Sequence, residues 1–111
     1  MNNENPGPKA AVFVSLAPLP TPYQREVMVI LIEECTEVQQ RATKLLRFGA
    51  GEIQPGQLLD NIYRLSLEIG DLLEVIDLAI DARLVLSEAV VKGQTGKRKQ
   101  LVHFMQTGGS P

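Results

Sequence analysis

Two pairs of acidic residues are the part of this sequence best suited to chemistry. Glu34 and Glu37 lie in the segment IEECTEVQQ, and Glu68 and Asp71 repeat the same spacing in LEIGDLLEVIDLA. Residues three positions apart are neighbours on the surface of an α-helix, so each pair presents two carboxylates in one direction. Carboxylates brought together repel one another and need a cation. Oxygen ligands of this kind are those that Mg²⁺ and Mn²⁺ prefer.

Both pairs lie at the border of an apolar stripe. At about 100° per residue, Glu37 lies about 300° from Glu34, and Leu31 of the apolar stripe lies at about 60°. The second pair has the same relation to Leu72. Either pair alone is explained by a solvated helix face. Because two helices joined by a short loop pack through their apolar stripes, we expect the two pairs to face each other in one site.

The positioning elements are expected to be helices. Residues 23–48 contain no helix breaker, and residues 58–86 contain only Gly70 as a weak helix former. A third segment, LSEAVVKGQTGKRKQLVHFMQ, is interrupted by Gly93 and Gly96 and is predicted as one kinked helix or two short ones. The sequence therefore predicts an all-α protomer, a helical bundle.

A proline-rich arm precedes the helices. Pro18 and Pro20 favour an extended chain, whereas Thr21 and Pro22 form a typical N-cap and first helical position. The predicted organisation is a flexible tail and extended arm (1–22), a helical domain (23–105) and a flexible tail (106–111).

Composition excludes several classes of function. The chain has 111 residues and a net charge of −2, so it lacks the basic surface expected of a nucleic-acid-binding protein. Its single cysteine, Cys35, excludes an intrachain disulfide, and its single histidine, His103, argues against a multi-histidine metal site. We expect no membrane segment and a cytoplasmic location. The small predicted core suggests that protomers associate.

Two segments, read together, resemble a known family. LIEECTEVQQRATKLLRFG and NIYRLSLEIGDLLEVIDLA are similar to the two core helices of the all-α NTP pyrophosphatases, in particular the short, phage-type members of the MazG-like group. The ExxE and ExxD halves of the family motif correspond to Glu34-x-x-Glu37 and Glu68-x-x-Asp71. The resemblance covers roughly residues 26–82.

The resemblance implies hydrolysis of a nucleoside triphosphate, expected to be a deoxynucleotide, to the monophosphate and diphosphate in nucleotide-pool control. Glu34, Glu37, Glu68 and Asp71 would be the catalytic residues and the ligands of Mg²⁺, with Mn²⁺ as a substitute. The resemblance also implies a homodimer or homotetramer, and the host cytoplasm if the protein is encoded by a phage.

Residues near the acids, together with a basic segment further along the chain, are the expected substrate contacts. They are Lys44, Asn61, Arg64, Lys97 and Arg98. Lys44 could instead form an ion pair with the acids. The segment GKRKQ, which contains Lys97 and Arg98, could fold over the triphosphate of its own or a neighbouring protomer, or remain a solvated basic tail.

A different class of protein accounts for the same residues. In a non-catalytic regulatory or adaptor oligomer, the acids would form interhelix salt bridges with Arg41, Lys44 and Arg64. Such a protein would need no metal for stability, so the effect of divalent cations on its melting temperature separates the two hypotheses.

Overall fold

The computed structural model describes residues 19–108, in which three α-helices are the only regular elements. They are α1 (Pro22–Phe48), α2 (Asn61–Asp81) and α3 (Ser87–Phe104). The all-α prediction is confirmed. The arm predicted before residue 19 and the end of the C-terminal tail lie outside the described residues. Within residues 19–108, none of the helices combines the length and apolar character needed to cross a bilayer.

Local signals set the ends of α1 as the sequence predicts. Thr21 Oγ1 accepts a hydrogen bond from Gln24 N at 3.1 Å, and Gln24 Oε1 accepts one from Thr21 N at 3.0 Å. These reciprocal bonds form a capping box, with Pro22 at the first helical position. Gly49 ends the helix at φ 96°, a left-handed value that residues with a Cβ rarely adopt.

Helix α2 differs from expectation, whereas α3 agrees with one of the two predicted alternatives, a single helix. α2 is shorter than predicted: Asp60 caps its start by accepting from Tyr63 N, and its end is set by Arg83 in the left-handed region at φ 64°. This turn lets Leu84 N donate to Ala79 O, which closes the helix. α3 is one continuous helix because neither Gly93 nor Gly96 breaks it.

Helices α1 and α2 form an antiparallel hairpin. Gln24 Nε2, at the start of α1, donates to Ala82 O, just after α2, at 2.9 Å. Val27 and Ala79, on α1 and α2 respectively, are 1% and 0% exposed. Burial of a valine side chain contributes about 1.5 kcal/mol or more to the stability of the fold. These two buried residues mark the centre of a small core.

The connection 49–60 is tied to the first residue of α2. Asn61 Nδ2 donates to Gly49 O at 2.9 Å and to Glu52 Oε1 at 2.8 Å. Main-chain bonds from Asn61 N to Glu52 O and from Ile62 N to Ala50 O add to this. Asn61 is only 1% exposed, so the loop is held by a buried amide and keeps a defined path next to the hairpin.

Helix α3 contributes no buried residue to the protomer. Its apolar residues Val102 and Phe104 are 68% and 74% exposed. Large apolar residues of the hairpin are exposed as well, among them Ile32, Leu46 and Leu73.

Candidate functional site

Carboxylates from both helices of the hairpin converge. Glu34 of α1 and Glu68 and Asp71 of α2 each place one carboxylate oxygen so that all three oxygens lie within 4.8 Å of one another. Glu34 and Glu68 are half-buried and Asp71 is exposed. These three residues, called the acid cluster below, are three of the four acids that the sequence predicts to face each other.

Glu37, the fourth predicted acid, lies beside the acid cluster and is not one of its members. It is half-buried and, together with Glu68, lines two grooves whose walls include members of the cluster. Its charge is close enough to raise the pKa of Glu68. Glu37 is therefore placed to act on a molecule bound at the cluster.

The acid cluster has the chemistry of a divalent-cation site. Oxygens on opposite sides of an octahedral Mg²⁺ lie about 4.2 Å apart, and those on a larger ion with bonds of about 2.4 Å lie about 4.8 Å apart. The three oxygens of the cluster all lie within 4.8 Å of one another, which is close enough for one cation to reach them. Glu34 Oε1 is buried without a hydrogen-bond partner, and a cation would satisfy this oxygen.

The pKa of Glu68 reflects its partial burial and the crowding of carboxylates at the acid cluster. Partial burial raises the pKa of Glu68 above its ordinary value of 4.5, and a hydrogen bond with Asp71 and the charges of Glu37, Asp71 and Glu34 raise it further. The pKa of Glu68 is higher in the folded chain than in the unfolded chain, so protonation of Glu68 favours the folded state. This contribution to stability is complete only at pH values below the unfolded-state pKa. That stability is lost as the pH rises through the folded-state value.

A divalent cation is expected to reverse this loss. If the acid cluster binds Mg²⁺ or Mn²⁺, the cation at about 100 times its Kd should stabilise the folded state by about 2.7 kcal/mol. The rise in melting temperature should be larger at about pH 7.5 than at about pH 5, because Glu68 must lose its proton to bind the cation. Calorimetry at matched ionic strength measures it. An equal rise with NaCl alone would contradict a metal site.

A groove of about 330 Å³ adjoins the acid cluster. Its walls come from both helices and from the connection between them: Glu37, Arg41, Gln57, Leu59, Arg64, Leu67, Glu68 and Asp71. Carboxylates and guanidinium groups therefore share one surface with two exposed leucines. This composition suits an anionic ligand, some of whose groups would bind a cation held by the carboxylates while others contact the guanidinium groups.

The cations near the acids have other contacts. Arg64 Nη1 donates to Gln54 Oε1 at 2.6 Å, and Lys44 Nζ lies 5.7 Å from the centre of the Phe48 ring. Arg41 Nη1 is buried without a hydrogen-bond partner. None of these contacts is one of the salt bridges on which the adaptor hypothesis depends.

The predicted substrate-contacting residues fall into three groups. Arg64 lines the groove beside the acid cluster, whereas Lys44 lines a neighbouring surface of α1. Asn61 is buried and its amide donors are engaged by the loop, so the structure gives it a positioning role and a substrate contact stays a prediction. Lys97 and Arg98 line a separate groove on α3 and neither groove beside the acids.

Four groove residues are absent from the set of site residues predicted from the sequence: Arg41, Gln57, Leu59 and Leu67. Arg41 had a usable signal, because it lies one turn after Glu37 on the same helical stripe. The two loop residues had none, since the path of the connection depends on hydrogen bonds to Asn61 and Arg64.

Comparison with protein-family models, curated proteins and solved structures gave no match. The resemblance to MazG-like pyrophosphatases therefore rests on the residues of the two acidic segments.

Proposed function

We propose that this chain is a metal-dependent nucleoside triphosphate pyrophosphohydrolase of MazG-like type, acting on nucleotides of the cellular pool. The observation that carries the proposal is the convergence of Glu34, Glu68 and Asp71 from two helices, next to a groove that also holds Glu37 and two arginines. A deoxynucleoside triphosphate is the proposed substrate and Mg²⁺ the proposed cofactor, with Mn²⁺ as a substitute.

In the proposed reaction, the oxygen of a water molecule attacks the α-phosphorus of the triphosphate. The bond from that phosphorus to the oxygen bridging the α- and β-phosphates breaks, and diphosphate leaves. A bound divalent cation lowers the pKa of a coordinated water and offsets phosphate charge. The water's proton passes to one of the carboxylates that line the groove.

We further propose that the protomer works as a homodimer or homotetramer. Among residues 19–108, only Val27, Asn61 and Ala79 are buried, and all three helices carry exposed large apolar residues. A protomer with so small a core gains stability by association. Sedimentation velocity tests this, and a melting temperature that rises with protein concentration supports it.

The reaction is tested with a panel of ribo- and deoxynucleoside triphosphates and Mg²⁺ or Mn²⁺. The expected products are the nucleoside monophosphate and diphosphate in equal amounts, identified by ion-exchange chromatography. Release of inorganic phosphate as the first product would exclude attack at the α-phosphorus. If no nucleotide is turned over and no metal binds, the adaptor hypothesis becomes the better account of the acids.

A further inference from the structure

One buried cationic atom next to the acid cluster is without a partner. Arg41 is half-buried, and its Nη1 is shielded from solvent yet makes no hydrogen bond. The same residue lines the groove of about 330 Å³ with Glu37, Glu68 and Asp71. A guanidinium group stays charged at any ordinary pH, so Arg41 cannot reduce the cost of its unpaired donor by losing a proton. An anionic group that enters the groove lined by Arg41 would offer this side chain an acceptor.

The groove indicates what kind of acceptor this is. A planar guanidinium fork matches the geometry of phosphate oxygens and binds them more strongly than a neutral donor does. Arg64 lines the same groove, and its Nη1 is fixed by Gln54 Oε1 at 2.6 Å. Two guanidinium groups thus lie on the surface that the carboxylates share. A ligand that carries carboxylates would be repelled by these acids unless a cation lies between the ligand and the acids. A polyphosphate, by contrast, brings its own divalent cation.

We propose that Arg41 binds the diphosphate end of the triphosphate, by donating to non-bridging phosphate oxygens that the cation at the acid cluster does not hold. The choice of a polyphosphate rests on the proposed function. In the proposed reaction the acid cluster holds the reacting α-phosphate, so the part of the groove lined by Arg41 would receive the β- and γ-phosphates. Arg41 therefore holds the leaving group and sets the affinity for the polyphosphate chain.

The test is isothermal titration of the full chain with inorganic tripolyphosphate, diphosphate and a nucleoside monophosphate in the presence of Mg²⁺. Arg41→Gln should weaken tripolyphosphate and diphosphate binding by at least about tenfold, since charge-assisted hydrogen bonds are among the stronger ones. Binding of the monophosphate should stay the same. Arg41→Lys should recover part of the affinity, because it keeps the charge and loses the fork.

Arg47→Gln is the matched control. Arg47 is an exposed arginine near the end of α1, with its guanidinium 5.1 Å from the centre of the Phe48 ring, and it does not line the groove. Its replacement should leave tripolyphosphate affinity unchanged. Mn²⁺ affinity without phosphate is measured for each variant, because a residue that merely offsets the acids would change this value.

Each outcome decides the role of Arg41. The proposal that Arg41 binds the polyphosphate would be overturned if Arg41→Gln keeps its tripolyphosphate affinity. A changed Mn²⁺ affinity or melting temperature in the same variant would then assign Arg41 to charge compensation. Absence of tripolyphosphate binding by the wild-type chain would also overturn the proposal. If the wild type binds tripolyphosphate through Arg41 and hydrolyses no nucleotide, the polyphosphate site stands and the proposed reaction fails. If nucleotides are hydrolysed and Arg41→Gln binds tripolyphosphate as tightly as the wild type, the proposed reaction stands and the proposed role of Arg41 fails.

Discussion

Replacement of Glu68 by glutamine should reduce nucleotide turnover by at least about a hundredfold, because loss of even an outer partner of a metal ligand costs about 10–100-fold. Glu68 belongs to the acid cluster and lines both grooves that include its members. Glutamine keeps the shape of the side chain and removes its charge, so the loss would report metal and water chemistry rather than packing. Steady-state kinetics with saturating Mg²⁺ measures it.

The same substitution should not destabilise the metal-free protein. Glu68 is crowded by the charges of Glu37, Asp71 and Glu34, which raise its pKa, so removal of its own charge relieves repulsion at neutral pH. We therefore expect Glu68→Gln to melt at or above the wild-type temperature without metal, and to lose the stabilisation by Mg²⁺.

Glu74→Gln is the matched control for this experiment. Glu74 is an exposed acid of α2 outside the acid cluster, and its replacement should leave both turnover and metal binding unchanged. Normal turnover in Glu68→Gln would place the reaction elsewhere in the molecule. A collapse of helical structure would show that Glu68 supports the fold instead.

Replacement of Asn61 by alanine is expected to have the largest effect on stability. The substitution removes two hydrogen bonds, to Gly49 O and Glu52 Oε1, from a side chain that is 1% exposed. At about 1 kcal/mol for each bond, the loss is about 2 kcal/mol. Guanidinium denaturation at one fixed protein concentration measures it, because association would otherwise change the apparent stability.

The loss of Asn61 should also weaken the groove. Gln57 and Leu59 reach the groove from the connection that the Asn61 amide holds, so a looser connection should raise KM more than it lowers kcat. Gln57→Ala is the control for stability. Gln57 is exposed in the same connection, and its replacement should change the free energy of unfolding by less than about 0.5 kcal/mol. Similar losses in both variants would show that Asn61 has no special role.

Much of the fold could be predicted because its signals are local. Thr21, Pro22 and Gly49 mark the ends of α1 through side-chain caps and backbone conformation, which depend on few neighbours. The pairing of the acids followed from helical periodicity, since residues three apart share a face whatever the rest of the molecule does. These signals were sufficient to predict that Glu34 lies close to Glu68 and Asp71, as the structure shows.

The remainder depends on contacts between distant residues. The start of α2 was placed too early because residues before Asn61 are held by tertiary hydrogen bonds, which periodicity does not report. Its end was placed too late because Arg83 adopts a left-handed conformation that its residue type disfavours. Periodicity also places Glu34 and Glu37 on one helix face, whereas Glu34 and not Glu37 belongs to the cluster in the structure.

The hydrogen bond from Gln24 to Ala82 fixes more than the end of the hairpin. The connection 49–60 ties one end of the two helices and this bond ties the other, so sliding α1 along α2 would break the bond to Ala82 and strain the connection. A slip of one helical turn would move Glu34 about 5.4 Å past Glu68, too far for one cation to bridge them. The register of the two helices is thus locked from both ends, and the site keeps its spacing although few residues are buried between them.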